Sequence, residues 1–176
     1  MANTYGILGL FETAPQVYHA AEKVRDAGFK RWDVIAPFPI HGIDKAMGLK
    51  RSRVPAFTLA GGCIGFITGM LTVWYMNAYD YPLIVGGKPY FSPIFPFPIA
   101  YELTILLAAF GTFFGQFITN LLPQHYHPTM NYEKFHRLTD DRFAIVIEAK
   151  DPGYDEVRTR ELLTKLGATE VADIAE

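Results

Sequence analysis

Two long stretches without a charged side chain dominate the middle of this chain. Val54 to Tyr79 runs for 26 residues and Leu103 to Leu122 for 20, with no Asp, Glu, Lys, Arg or His in either. At about 1.5 Å of rise per residue, each is long enough as a helix to cross a hydrocarbon layer about 30 Å thick. The simplest reading is a membrane hairpin inserted into a small folded domain. The remainder is 53 residues before the first stretch and 54 after the second, enough for one compact domain and thin for two.

Composition narrows the function classes. The formal net charge is -2, so the clustered basic surface that nucleic-acid binding requires is missing. Cys63, the single cysteine, lies inside the first apolar stretch, which leaves no material for a disulfide, a thiolate metal cluster or a Cys-x-x-Cys-His haem attachment. The first residues are strand-like with Pro15 soon after, unlike the basic-then-apolar pattern of a cleavable signal.

Charge around the stretches gives an orientation. Lys45, Lys50, Arg51 and Arg53 precede the first, and Lys134, Arg137 and Arg142 follow the second, while the connection from Asp80 to Pro98 carries only Lys88. The bias of Lys and Arg toward the inner side predicts both termini in the cytoplasm and the connection outside. That connection holds five prolines in 19 residues, which rules out a continuous helix. Tyr79, Tyr81, Tyr90, Phe91, Phe95 and Phe97 suit the headgroup level as an aromatic belt.

The two flanks repeat one pattern. Tyr5 to Phe11 is strand-like, Thr13 and Pro15 open a helix through Val17, Ala20, Ala21 and Val24 to Gly28, and Trp32 to Ala36 is a second strand. After the apolar stretches, Arg142 to Ala149 is a strand, and Asp151-Pro152-Gly153 turns into a helix carrying Val157, Leu162, Leu163 and Leu166. Gly167 closes that helix and Glu170 to Ile174 is the last strand. Two such units of about 30 residues predict an α+β membrane protein. Its two-helix hairpin is inserted between the halves of a split ferredoxin-like (βαββαβ) cytoplasmic domain. The expected layout is 1–53 for the first half-domain, 54–79 for span one, 80–98 for an external loop, 99–122 for span two and 123–176 for the second half. No glycine cluster opens a helix, so a phosphate-binding loop is not indicated.

Small residues mark the packing faces of the spans. Gly61, Gly65 and Gly69 are spaced by four, and Gly111, Gly115 and Thr119 repeat that spacing. Such stripes let helix backbones approach closely in lipid. One stripe suffices to pair the spans with each other, and the second is expected to meet a partner helix. Phe57, Phe66, Ile67, Leu71, Phe110, Phe113, Phe114 and Phe117 are expected on the remaining faces, toward lipid or a larger partner. Glu102, at the start of the second span, has two readings. One is a hydrated carboxylate near the positive end of a helix dipole; the other is a proton or quinone-headgroup contact, since intramembrane carboxylates are costly.

Catalytic chemistry is not indicated for this chain alone. His19, His41, His125, His127 and His136 all lie outside the apolar stretches, so neither span offers an axial haem ligand. His125-x-His127 is a two-ligand pair at a helix exit, a pattern that fits capping better than a metal centre. No nucleophile elbow and no paired carboxylates in a recognisable cleft occur. No catalytic, cofactor-binding or metal-binding residue is therefore assigned.

Several segments carry a resemblance. Pro37-Phe-Pro-Ile-His-Gly-Ile-Asp44, then Met47-Gly-Leu-Lys-Arg-Ser-Arg-Val-Pro55, resembles the entry to the first span in the D-subunit family of bacterial alternative complex III. Tyr81-Pro82, Gly86-Gly-Lys-Pro89, Glu102-Leu-Thr104, Asn120-Leu-Leu-Pro123, His127-Pro128 and Asp141-Arg-Phe143 look like further signatures of that family in the expected order. The resemblance implies a two-span accessory subunit of a respiratory or photosynthetic quinol oxidoreductase in the inner membrane. It implies that haem c, iron–sulfur clusters and menaquinol belong to partner subunits, with multi-span partners holding the quinol site. It assigns this chain no catalytic residue. A ligand-sensing regulatory membrane protein is the alternative of a different class, distinguishable by a polar pocket at the sheet; a contribution to a proton path through Glu102 is another.

Overall fold

The computed structural model describes residues 4–176. Helices and strands are mixed, in the order β1 (Thr4–Phe11), α1 (Ala14–Asp26), β2 (Trp32–Ile35), α2 (Ile43–Met47), α3 (Val54–Tyr75), α4 (Phe97–Thr119), β3 (Phe143–Glu148), α5 (Glu156–Lys165) and β4 (Glu170–Ala175). The strands form one antiparallel sheet in the order β2-β3-β1-β4. Contacts divide the chain into two compact units, one from the N-terminal part through Lys50 together with His125–Glu176, the other Arg51–Gln124.

In the first unit β1 sits between β3 and β4, and Ile7 to Phe11 are buried on both faces, except that glycine takes position 9. One face carries Ile7 and Phe11 beside Phe143, Ile145 and Ile147. Val17, Ala20, Ala21 and Val24 of α1 pack there because their spacing of three and four residues forms a single helical stripe. Leu163 of α5 joins them, and Gly9 leaves it room: a Cβ on Gly9 would lie 3.2 Å from the Leu163 side chain. Val157 is on the other side of α5, 67% exposed; Thr159 and Leu163, four residues apart, are the buried pair. α1 and α5 end alike, with Gly28 at φ 89° and Gly167 at φ 91°, a left-handed conformation that favours glycine.

The second face carries Leu8, Leu10, Ala144, Val146 and Ile174. It is covered by Tyr132 and Leu138, which lie in or beside two short 3₁₀ turns, Pro128–Asn131 and Phe135–Thr139. Burying each leucine, valine or isoleucine side chain there contributes about 1.5–3 kcal/mol relative to exposure.

In the second unit α3 continues through a π-helical turn, Met76–Asp80. Val54–Asp80 and Phe97–Thr119 are both long and apolar enough to cross a membrane. Only 17% and 6% of their most apolar windows are buried, whereas a core helix of a water-soluble protein would be mostly covered. Pro55 and Pro98 sit in the first turns, where a missing amide costs no helical hydrogen bond. In the connection, Lys88 lies 5.1 Å from the Phe95 ring centroid, so its one cation rests against an aromatic face.

Candidate functional site

The predicted small-residue positions converge, but on each other. A Cβ on Gly61 would overlap the Leu107 carbonyl oxygen, and one on Gly65 the Leu103 carbonyl oxygen. On Gly69 it would come within 2.6 Å of Ala100 Cα. From the opposite side, Gly111 faces the Phe57 carbonyl oxygen at 2.5 Å and Gly115 faces Phe57 Cβ at 2.7 Å. The glycines of both stripes therefore meet the facing helix within the α3–α4 seam. Spacing by four defines a stripe without saying what lies opposite it. Phe57, expected on an outer face, is part of the seam.

A polar pair closes the same contact. Thr58 Oγ1 lies 2.7 Å from Thr112 Oγ1. Each hydroxyl also reaches a carbonyl four residues back in its own helix, Val54 at 3.2 Å and Ala108 at 2.9 Å. Thr119 does not join: it is exposed and donates to the Gly115 carbonyl of its own helix at 2.8 Å.

Glu102 is exposed on α4. The first helical turn begins at Phe97 and contains no acidic residue, which puts Glu102 one turn beyond the free amides. Helix-dipole stabilisation falls off within that first turn, so Glu102 lies beyond its strongest reach. The aromatic and aliphatic residues Phe66, Ile67, Leu71, Phe110, Phe113 and Phe114 are likewise exposed around the hairpin.

The sheet unit holds two polar constructions that sequence reasoning did not locate. At one end of β1, Tyr5 Oη donates to Glu148 Oε1 at 3.3 Å and lies 3.2 Å from His127 Nε2. His127 Nδ1 lies 2.8 Å from Thr129 Oγ1 and accepts from the Thr129 amide at 3.3 Å, capping the 3₁₀ turn that follows. Burial, then the Glu148 carboxylate, pushes the Tyr5 phenol up to about 12. The second construction is Asp151, 6% exposed, which accepts the amides of Lys30 and Arg31 at 2.6 Å each and that of Gly153 at 2.7 Å. Burial raises its pKa, but the three amides outweigh this and hold the carboxyl below its usual range. Their long-range contacts, Tyr5 with His127 and Glu148 and Asp151 with Lys30 and Arg31, were not legible because those partners lie more than 100 residues apart in the chain.

Both faces of the sheet are covered, and a hollow of about 340 Å³ beside β4 is lined by Asn131, Lys134, Glu170 and Asp173. One face is packed by α1 and α5, and the other by Tyr132 and Leu138. Among the described residues, no three His, Cys, Asp or Glu side chains are grouped to hold a metal ion. The model of the family described as Alternative complex III, ActD subunit, matches residues 5–173. No curated protein matches the chain.

Proposed function

The chain belongs to the ActD subunit family of alternative complex III, and from that premise we propose that it is a non-catalytic scaffold in the membrane part of a quinol oxidoreductase. Family membership makes it one subunit of a multi-subunit assembly in electron transport, and its two candidate spanning helices suggest membrane association. On our reading the hairpin interrupts a split ferredoxin-like module. The strand order, the antiparallel pairing and the shared face of α1 and α5 support that assignment.

The same sheet supports a same-side arrangement of the termini. β1 precedes the hairpin, yet it pairs with β3 and β4, which follow it. Strands on opposite sides of a bilayer could not pair. Lys45, Lys50, Arg51 and Arg53 before α3 favour the cytoplasm for that side. The module would there cover the inner surface of multi-span, quinol-binding subunits, with haem c, iron–sulfur clusters and menaquinol held by partners.

The observation that carries the scaffold reading is the division of labour around the hairpin. Gly61, Gly65, Gly69, Gly111 and Gly115 meet the facing helix in the internal seam, while large side chains such as Phe66, Leu71, Phe113 and Phe114 stay exposed. Gentle detergent extraction and affinity purification test it. Recovery with haem-containing and multi-span partners is expected; a lone monomer would contradict it.

A further inference from the structure

Resting on the two-span reading with both tails in the cytoplasm, we propose that the segment leading into α3, from Phe38 to Arg53, binds anionic phospholipid of the inner leaflet. Lys45, Lys50, Arg51 and Arg53 meet the lipid phosphates, and Phe38 and Leu49 enter the headgroup layer beside them. The local fold presents these groups. Ile40, Ile43, Ala46 and Met47 pack against the core under α1. Arg25 Nη1 donates to the Lys45 carbonyl at 3.0 Å. Gly48, at φ 71°, ends α2, and the Leu49 amide donates back to the Asp44 carbonyl at 2.8 Å. Phe38, Leu49 and the four cations are left exposed. A hollow of about 410 Å³ beside them has Val34, Ala36, Ile43 and Met47 in its wall.

Pairing separates these cations from those that follow the hairpin. Lys134, Arg137, Arg142, Lys150, Arg160 and Lys165 each form an ion pair with a carboxylate of this chain. Among the described residues, Lys45, Lys50, Arg51 and Arg53 form none, although Asp44 is their neighbour in sequence. Their charge is left for an anion outside the chain, and their position says which kind. Lys50, Arg51 and Arg53 stand four, three and one residues before Val54, where α3 begins. At full extension none of the three is more than about 14 Å from that helix start. Phosphates of the headgroup layer lie within this reach, and a cluster of about four Lys or Arg on the cytoplasmic side of a spanning helix attracts anionic lipid. Interfacial binding draws on exposed apolar side chains and cations together. An acidic protein loop would use the cations and leave Phe38 and Leu49 without a role.

The test uses the intact complex in vesicles of equal parts phosphatidylglycerol and phosphatidylcholine, with a benzophenone amino acid at Leu49. Adducts with phosphatidylglycerol are expected to exceed those with phosphatidylcholine by about fivefold or more, since one Lys or Arg near an anionic surface contributes about 1 kcal/mol. That ratio is expected to fall toward one in high salt, which screens exposed charges. It should fall likewise when Lys45→Gln, Lys50→Gln, Arg51→Gln and Arg53→Gln are combined. The salt series leaves the cations in place, so it decides the matter even where the fourfold variant fails to assemble. A ratio near one at low salt, a ratio unmoved by salt or by an assembled fourfold variant, or adducts chiefly with another protein subunit would overturn the proposal. Failure of the two-span reading shows separately, as cysteines at Lys23 and Lys88 that label from the same side of the membrane.

Discussion

Around the sheet, contact is made where side chains are large: Phe11, Ile7, Ile145, Ile147 and Leu163 are fully buried. Along the hairpin, the closest contact is made where side chains are missing, at Gly61, Gly65 and Gly111. In water, apolar volume drives association because it leaves the solvent. In lipid that gain vanishes, and backbone proximity with an occasional hydroxyl pair takes its place. The two units should therefore respond in opposite ways to volume: the sheet weakens when atoms are removed, and the seam when they are added.

The strongest challenge to this contrast is Phe11→Ala. It should destabilise the sheet unit by about 3–5 kcal/mol, measured as the denaturant midpoint of the full chain in detergent. Trp32, packed against the core, can report this by fluorescence in a Trp74→Phe background. A smaller loss would mean that the core relaxes around the cavity. Next comes Gly65→Val, whose added atoms meet the Leu103 carbonyl; overpacking of this kind costs about 1–3 kcal/mol or more. Cysteines at Thr58 and Thr112, in a Cys63→Ser background, should crosslink efficiently, and adding Gly65→Val should abolish that. Leu59→Ala, on an exposed position, should leave it unchanged.

Asp151 sharpens the comparison on the polar side. Asp151→Ala leaves three part-buried amides without their acceptor and should cost about 1–3 kcal/mol. Its carboxyl is held below the usual range in the folded state, so its contribution is complete above the unfolded-state pKa. The contribution disappears as pH falls through the lower folded value. A midpoint-against-pH series should fall in acid for the native chain and more gently for Asp151→Ala. The smallest effect is expected for Thr58→Val, which removes one hydroxyl contact from the seam, about 0.6 kcal/mol. Crosslinking at positions flanking the pair should decrease only slightly.

Much of this was open to sequence reasoning wherever the signal is periodic. The stripe Val17, Ala20, Ala21, Val24 announced the buried face of α1, and the paired positions of Gly28 and Gly167 marked two helix ends of one design. Uncharged length identified the hairpin helices. What escaped has no period. Tyr132 and Leu138 cover the second sheet face from irregular turns, and Asp151 reaches Lys30 and Arg31 across most of the chain. At the candidate site, glycine spacing located the packing stripes but not their partner, and Glu102 became interpretable only once the helix start was fixed at Phe97.

The claim on which the rest depends is that the chain crosses the bilayer twice and closes one sheet from its two tails. Single cysteines at Lys23, Lys88 and Glu161, in a Cys63→Ser background, can be labelled with a membrane-impermeant maleimide in sealed vesicles of each orientation. Positions 23 and 161 should react from one side only, and position 88 from the other. Labelling of 23 and 161 from opposite sides would contradict that topology.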